Sequence, residues 1–372
     1  DYHLVNRGFF VASVLSLIVG AMISIVGSLA IRDFLILMHT PGEILEQSLD
    51  YIKVILLGFV ITVLNNLFMS VLQSLGDSST PFWALLVSSV TNIGLDCVFV
   101  LTLKWGVQGA AAATVLSQVF SFAICAAGLK RLKFVSILDG SKSKNARLTV
   151  RMLKTGLPVG IMSMVTAVGG MILQFFVNDL GASAVAAYAA STKIRSVIGE
   201  FSNALGMTFM TFVGQNYGAQ KYDRIKAGVR MGVLLSILIH IPLSAVEIFG
   251  GKRIASLMVT DPPVLELCRQ YLLIVGIFVF FLGFLMVFRN CIQGMGNTWI
   301  PMLSGGLEVF SRLIFGYWLG RHSFMGIAAA EASAWISVSI MLGSSFFILF
   351  RKVLRTQTPE NTTDTKNIRT DS

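Results

Sequence analysis

Ionisable side chains set inside long apolar runs are the residues of this sequence that could do chemistry. Glu200 lies near the middle of one such run. Ser196 and Asn203 share its face at helical spacings, and Lys193 stands one turn further back. Burying a charge in hydrocarbon costs at least ~2.5 kcal/mol on insertion scales, so such a group needs a partner or a function. No cation stands equally close to Glu200 unless Lys193 or Arg195 folds back, which makes it a candidate for taking up a proton or a cation. Glu308 and Arg312 are four apart, acid first, the order that favours an ion pair within one helix. They read either as a self-neutralised structural pair or as part of an ion path. Asn92 and Asp96 form a second polar pair at the same spacing, and Gln174 joins these as a candidate for a substrate cavity. Arg289 is expected to snorkel or to line the mouth of a pathway. His240 reads as structural, and Glu247 and Glu331 as residues near helix ends.

Enzyme signatures are absent. There is no G-x-x-x-x-G-K-[ST] loop, no G-x-S-x-G and no His/Cys/acid cluster at metal spacing. The sequence therefore reads as a non-enzyme without a cofactor, whose energy source for any transport is an ion gradient (H+ or Na+) or a partner. The four cysteines, Cys97, Cys125, Cys268 and Cys291, show no C-x-x-C spacing and suggest neither disulfides nor zinc.

The elements that position these residues follow from composition. Of 372 residues 55% are hydrophobic and 13% charged, against about 25% charged in ordinary soluble domains; the mean hydropathy is +0.76. Apolar stretches long enough for a membrane-crossing helix recur near 9–31, 51–72, 81–103, 107–129, 156–178, 186–213, 229–250, 271–292, 301–320 and 325–350. The expected fold is an all-α polytopic membrane protein. The net charge of +10 is concentrated between spans: Lys130, Arg131, Lys133, Lys142, Lys144, Arg147, Arg151 and Lys154 in one loop, opposed only by Asp139. Lys221, Arg224, Lys226 and Arg230 mark a second loop, and Arg351, Lys352 and Arg355 follow the last span. Alternating spans put all three on one side, so the positive-inside rule makes them, and the C-terminus, cytoplasmic in a plasma membrane. That distribution speaks for membrane lipids as neighbours and against nucleic acid. The sequon at Asn361 falls in a polar tail, expected to be disordered, and is read as chance.

The chain repeats itself. "VLQSLGDSSTP" (71–81) and "CIQGMGNTWIP" (291–301) align Gln73 with Gln293, Gly76 with Gly296 and Pro81 with Pro301. At the same offset Tyr2 meets Tyr222, Gly8 Gly228 and Tyr51 Tyr271. One period holds six spans, an even number, so the two copies face the same way. The quoted stretch reads as a tight turn: a glycine closes one helix, Ser79 or Thr80 caps the next, and Pro81 enters its first turn. Gly109/Ala113 and Gly326/Ala330/Ala334 place small residues four apart, a pattern for close helix packing. The segment 147–220 has no counterpart before residue 1, so roughly 73 residues and two helices of a twelve-helix repeat are expected beyond this sequence. The expected organisation is an N-terminal bundle over 1–129 with four of six helices, a basic cytoplasmic loop over 130–154, a six-helix bundle over 155–350 and a tail over 351–372.

"LKTGLPVGIM" (153–162), "AAYAASTKI" (186–194), "FVGQNYGAQKYDRI" (212–225), "LQSLGDSSTP" (72–81), "FRNCIQGMGNTWIP" (288–301) and "GVQGAAAATVLSQ" (106–118) resemble the multidrug and toxic compound extrusion (MATE) family over essentially the whole chain. The resemblance implies two pseudo-symmetric six-helix bundles, substrate held between them, and H+- or Na+-coupled export of amphipathic, often cationic, small organic compounds by alternating access, by a monomer. The spans at 156–178 and 271–292 lack the acidic residues of the NorM-like branch. "TNIGLDCVFV", with Asn92 and Asp96, resembles the DinF-like branch instead, whose proposed coupling Asp would lie in the segment not represented here. Two alternatives stand beside this reading. A lipid-linked oligosaccharide flippase would need a more cationic cavity. A non-transporting membrane protein would follow if the shortened first bundle is native.

Overall fold

The computed structural model describes residues 2–37, 42–132 and 146–355, and all regular structure among them is helical. Ten helices follow one another: α1 (Tyr2–Leu37), α2 (Gly42–Ser74), α3 (Ser79–Thr102), α4 (Gly106–Arg131), α5 (Ala146–Asp179), α6 (Ala182–Gly218), α7 (Tyr222–Ala255), α8 (Pro262–Gly294), α9 (299–320) and α10 (Phe324–Arg355). Helices are the expected solution where water is excluded, because each satisfies its backbone polar groups internally. Eight of the ten are long and apolar enough to cross a membrane. The other two, α6 and α9, carry Lys193, Arg195 and Glu200, and Glu308 and Arg312. The expected spans are present there as helices, but polar residues dilute their hydropathy.

The helices outrun the apolar stretches that predict them. Arg147, Arg151 and Lys154, expected in a loop, stand in the first turns of α5; Lys130 and Arg131 close α4. Arg224, Lys226 and Arg230 likewise belong to α7, and Arg351 and Lys352 to the last turns of α10. Long basic side chains allow this, since their stems lie along apolar surface while the charge reaches water. Lys133, Asp139, Lys142 and Lys144 of the expected loop lie outside the described residues, as does the tail from 356 with Asn361.

The chain divides into two compact units, Asp1–Leu153 and Lys154–Ser372. In the first, α2 packs on α1 and α4, and α3 lies along α4. Phe9, Phe68, Leu72, Ala84, Cys125 and Leu129 form its core. In the second, α8 runs between α6, α7 and α10, while α9 packs on α10. Met162 of α5 meets α9 at Gly305, and Phe176 meets it at Gly316.

The repeat is visible in the backbone. α1 and α7 begin at 2 and 222, α2 and α8 at 42 and 262, α3 and α9 at 79 and 299, each pair 220 apart. Both α3 and α9 end in a π turn, Cys97–Thr102 and Gly316–Gly320. The quoted turns match bond for bond. Gly76 N–H donates to Gln73 O at 3.0 Å and Gly296 N–H to Gln293 O at 2.8 Å. The two glycines take φ of +93° and +82°, the left-handed region that a Cβ disfavours. The cap differs from expectation. Ser79 and Thr80 do not cap α3; Asp77 does, accepting from Ser79 N–H at 3.1 Å, Thr80 N–H at 3.0 Å and Thr80 Oγ1 at 2.6 Å. Asn297, 220 residues on, accepts from Ile300 N–H at 3.2 Å. The acidic or amide residue just before the turn's exit wins because its oxygen reaches donors two and three residues on.

Candidate functional site

The second unit encloses a chain of alternating charges. On α9 the buried stripe Ser304, Glu308, Arg312 recurs every four residues, so acid and guanidinium share one face turned into the unit. Glu308 takes Arg312 of its own helix at 2.9 Å and Arg289 of α8 at 3.0 Å, one on each carboxylate oxygen. Arg312 continues to Glu331 of α10 at 3.8 Å, with a further bond of 3.4 Å to the Thr166 carbonyl of α5. Glu331 also receives Arg195 of α6 at 3.1 Å and the hydroxyl of Tyr271 of α8. Arg195 lies over the Trp335 ring, 5.7 Å from its centroid. Five helices thus each contribute to one network: α5, α6, α8, α9 and α10.

Burial makes mutual neutralisation obligatory. Glu308 and Arg289 are 4% and 5% exposed and Glu331 1%. Lone charges at such depth would cost several kcal/mol each, which pairing offsets. One acid stands outside the pairing. Glu247, in the π turn Val246–Gly250 of α7, is 1% exposed, and neither carboxylate oxygen has a hydrogen-bond partner. Nearby on α7, His240 is satisfied: its Nδ1–H donates to Ser236 O at 2.7 Å, leaving Nε2 to accept from the Ser202 hydroxyl at 2.7 Å. Among the described residues no cluster of His, Cys, Asp and Glu could hold a metal ion.

The first unit has neutral polarity in place of this network. Asn65 Nδ2 donates to Gln118 Oε1 at 2.8 Å, joining α2 to α4, and Ser88 Oγ donates to Ser117 O at 3.0 Å, joining α3 to α4. Its buried polar atoms are not saturated. Asn65 Oδ1, Asn92 Nδ2, Asp96 Oδ1 and Ser121 Oγ have no partner. Asn92 and Asp96 stand one turn apart on α3 just before its π turn, an unused donor and an unused acceptor in the same apolar span.

The structure places the sequence candidates unequally. Glu308 and Arg312 come together as the spacing predicts, but as the middle of a five-charge chain rather than an isolated pair. Glu200 and Asn203 share the exposed face of α6 with Ser196 and Lys193. Arg195 does not fold back to Glu200; it turns to Glu331. Gln174 of α5 donates to Asn178 Oδ1 at 2.8 Å. Arg289 neither snorkels nor lines a mouth, because Glu308 holds it inside. Glu331 is not a helix-end residue in effect: it sits two turns into α10 at the centre of the network. Pairs between helices leave no spacing signature. The legible signal was only that arginines within spans require acids somewhere.

Comparison with known proteins agrees with this architecture. The MatE family model matches residues 1–98 and 158–318. The two matches end 220 apart, in the register of the repeat. A probable multidrug resistance protein of Bacillus subtilis, YoeA, is 27% identical over 84% of this chain and 72% of its own length. A FAD transporter of Shewanella oneidensis is 26% identical over 76% of this chain and 64% of its own length. A solved multidrug resistance MATE family transporter of the MOP superfamily, in an outward-facing conformation, superposes with a TM-score of 0.87 at 22% identity. That superposition covers 94% of this chain and 80% of the other, and shows the same fold. With the family model matching well over half of its residues, in two copies that coincide with the repeat, the chain belongs to the MatE family of multi-pass membrane transporters.

Proposed function

We propose that this chain exports amphipathic or cationic small organic compounds by alternating access, driven by exchange of H+ or Na+ at Asp96 and Asn92 in the first unit. The carrying observation is the unpartnered Asp96 Oδ1 and Asn92 Nδ2 within an apolar span. An unmet acceptor and an unmet donor one turn apart in an apolar span offer a polar foothold that an exchanged ion would satisfy. Occupancy then changes the charge of the unit, and so which packing of the helices is favoured. The second unit suits a more rigid role, since its buried acids, Glu247 apart, are held by arginines. Absence of Asp and Glu from 156–178 and 271–292 supports placement near the DinF-like branch. The basic helix ends support a cytoplasmic C-terminus. The relatives named for multidrug resistance support export of small compounds, and one relative is named a FAD transporter.

Reconstituted protein should accumulate a fluorescent organic cation in proteoliposomes under an imposed pH or Na+ gradient. Asp96→Asn should abolish that accumulation while leaving expression and helicity intact. Wild-type protein that moves the cation under neither gradient, yet moves FAD or flips a labelled lipid-linked oligosaccharide, would overturn the reading. The same assay decides Glu200: loss of coupling in Glu200→Gln would move the coupling site to the exposed face of α6.

A further inference from the structure

At one end of the second unit, α7, α8 and α10 leave a groove of about 660 Å³. α7 begins at this end, and α8 and α10, running antiparallel to it, finish here. Four phenylalanines line the groove: Phe288 of α8, and Phe346, Phe347 and Phe350 of α10. They hold one another, with Phe346 stacked on Phe350 at 5.6 Å and Phe288 5.8 Å from Phe346. Lys226 and Arg230, one turn apart on α7, and Arg351 of α10 stand at the rim. All three cations are exposed, and none is paired with a carboxylate among the described residues.

The first unit shows that this opening is written into the second copy rather than required by the fold. Phe288 corresponds to Phe68 and Val229 to Phe9 at the offset of 220. In the first unit Phe9 meets Phe68 edge-on at 5.2 Å, and Phe68 meets Phe122 at 4.8 Å, so rings fill the equivalent space. Val229 is too short to reach Phe288 in that way. Lys226 replaces Asn6, which is buried, and Arg230 replaces Phe10. An aromatic filler has been exchanged for a small residue, and two neutral positions for cations.

We propose that this groove binds an anionic glycerophospholipid, one acyl chain lying against the phenylalanines and its phosphate on Lys226, Arg230 and Arg351. An apolar groove that opens at a bilayer boundary gains nothing from water-soluble ligands that cannot fill it, whereas a lipid tail restores the lost packing. Basic pockets between membrane helices hold anionic head groups in the same manner. The assignment requires membrane placement and not transport, so it stands or falls separately from the exporter reading.

Native mass spectrometry of the detergent-purified full chain, titrated with phosphatidylglycerol or phosphatidylcholine, tests it. Phosphatidylglycerol should bind the wild type and phosphatidylcholine markedly less. Each lost rim cation should weaken phosphatidylglycerol about fivefold, so Lys226→Ala with Arg230→Ala should weaken it about 25-fold. Val229→Phe, which copies the first unit, should weaken it while leaving every charge in place. Equal binding of the two lipids, or unchanged phosphatidylglycerol binding in both variants, would overturn the proposal. So would thermal protection by inorganic phosphate equal to that by the lipid, since it would reduce the site to an anion patch. Lipid binding that emerges only after removal of residues 356–372 would assign the groove to the chain's own tail and equally overturn it.

Discussion

Where the first unit has Met69, Ser88 and Asn92, the second has Arg289, Glu308 and Arg312 at the same places in the repeat. Backbone plan, helix starts, π turns and the glycine turn are shared; the interior chemistry is not. The second unit ties its helices together with charges that consume one another. The first ties α2, α3 and α4 with amide and hydroxyl bonds and leaves four buried polar atoms unspent. One ancestral bundle design can thus be specialised by a few inward-facing residues. A network of paired charges resists a change of packing, because any shift unpairs buried charges, even though Nε of Arg195, Arg289 and Arg312 has no partner of its own. Neutral polar groups shift at less cost, and where a donor and an acceptor stay unpartnered, as at Asn92 and Asp96, a ligand can supply the missing partner.

The sharpest way to break this comparison is to give the second unit the residues of the first. Glu308→Ala alone strips Arg289 of its acid partner and weakens the hold on Arg312 in a buried setting, and should cost about 3–5 kcal/mol. Arg289→Met, Glu308→Ser and Arg312→Asn together remove all three charges and install the repeat mates. Replacing interacting buried charges together by neutral residues is far milder than removing one partner, so the triple variant should be more stable than Glu308→Ala despite carrying two further substitutions. Arg195 and Glu331 would remain paired at 3.1 Å. Thermal unfolding in detergent ranks the variants. A triple variant less stable than the single would show that the network is a net source of stability.

A smaller contrast tests the two π-turn corners. An added Cβ at Gly326 would overlap the carbonyl oxygen of Leu319 and fall 2.9 Å from Gly320 N, both backbone atoms that cannot swing aside. At Gly109 the nearest atoms are the Cβ carbons of Trp105 at 3.0 Å and Phe99 at 3.1 Å. Gly326→Ala should therefore cost about 1–3 kcal/mol, the range for overpacking, and Gly109→Ala visibly less. Equal melting temperatures for the two variants would mean that the corner in the second unit relaxes as readily as its mate.

Much of the fold was legible because membrane helices announce themselves by length and apolarity, and because the repeat fixes corresponding positions without any structure. Within the candidate sites, local spacing carried what it could. Glu308 and Arg312 share a helix, so four residues between them suffice to predict contact. Arg195 and Glu331 are on different helices, and nothing in the chain says that Arg195 turns to α10 rather than to Glu200 five residues away. Arg289 was misplaced for the same reason. Its partner lies across a helix interface, and snorkelling is the default only for a cation without one. The basic helix ends were read as loops because a charged stretch between apolar runs looks alike in either state. The cap was assigned to Ser79 or Thr80 by type, while geometry gave it to Asp77.

That cap supplies the mildest test of the comparison, since Asp77 and Asn297 are the two copies' versions of one device. The hydrogen bond from the Thr80 hydroxyl, joined by the Thr80 and Ser79 amides, holds the Asp77 carboxyl below its ordinary value of 3.8. The ionised form is the one favoured in the fold. Its contribution is therefore complete above the unfolded-state value and is lost as pH falls through the lower folded one. Asp77→Asn installs the amide that serves the second unit, whose oxygen still accepts but carries no charge. The substitution should cost a few tenths to about 1 kcal/mol near neutral pH, the span expected for exchanging one capping group for another at a half-exposed turn. Below the ordinary carboxylate range the wild type should lose its advantage, and the two melting temperatures should converge. A gap that stays constant with pH would mean that Asp77 caps α3 by shape alone, as Asn297 does for α9, and that charge distinguishes the two turns in sequence without distinguishing them in energy.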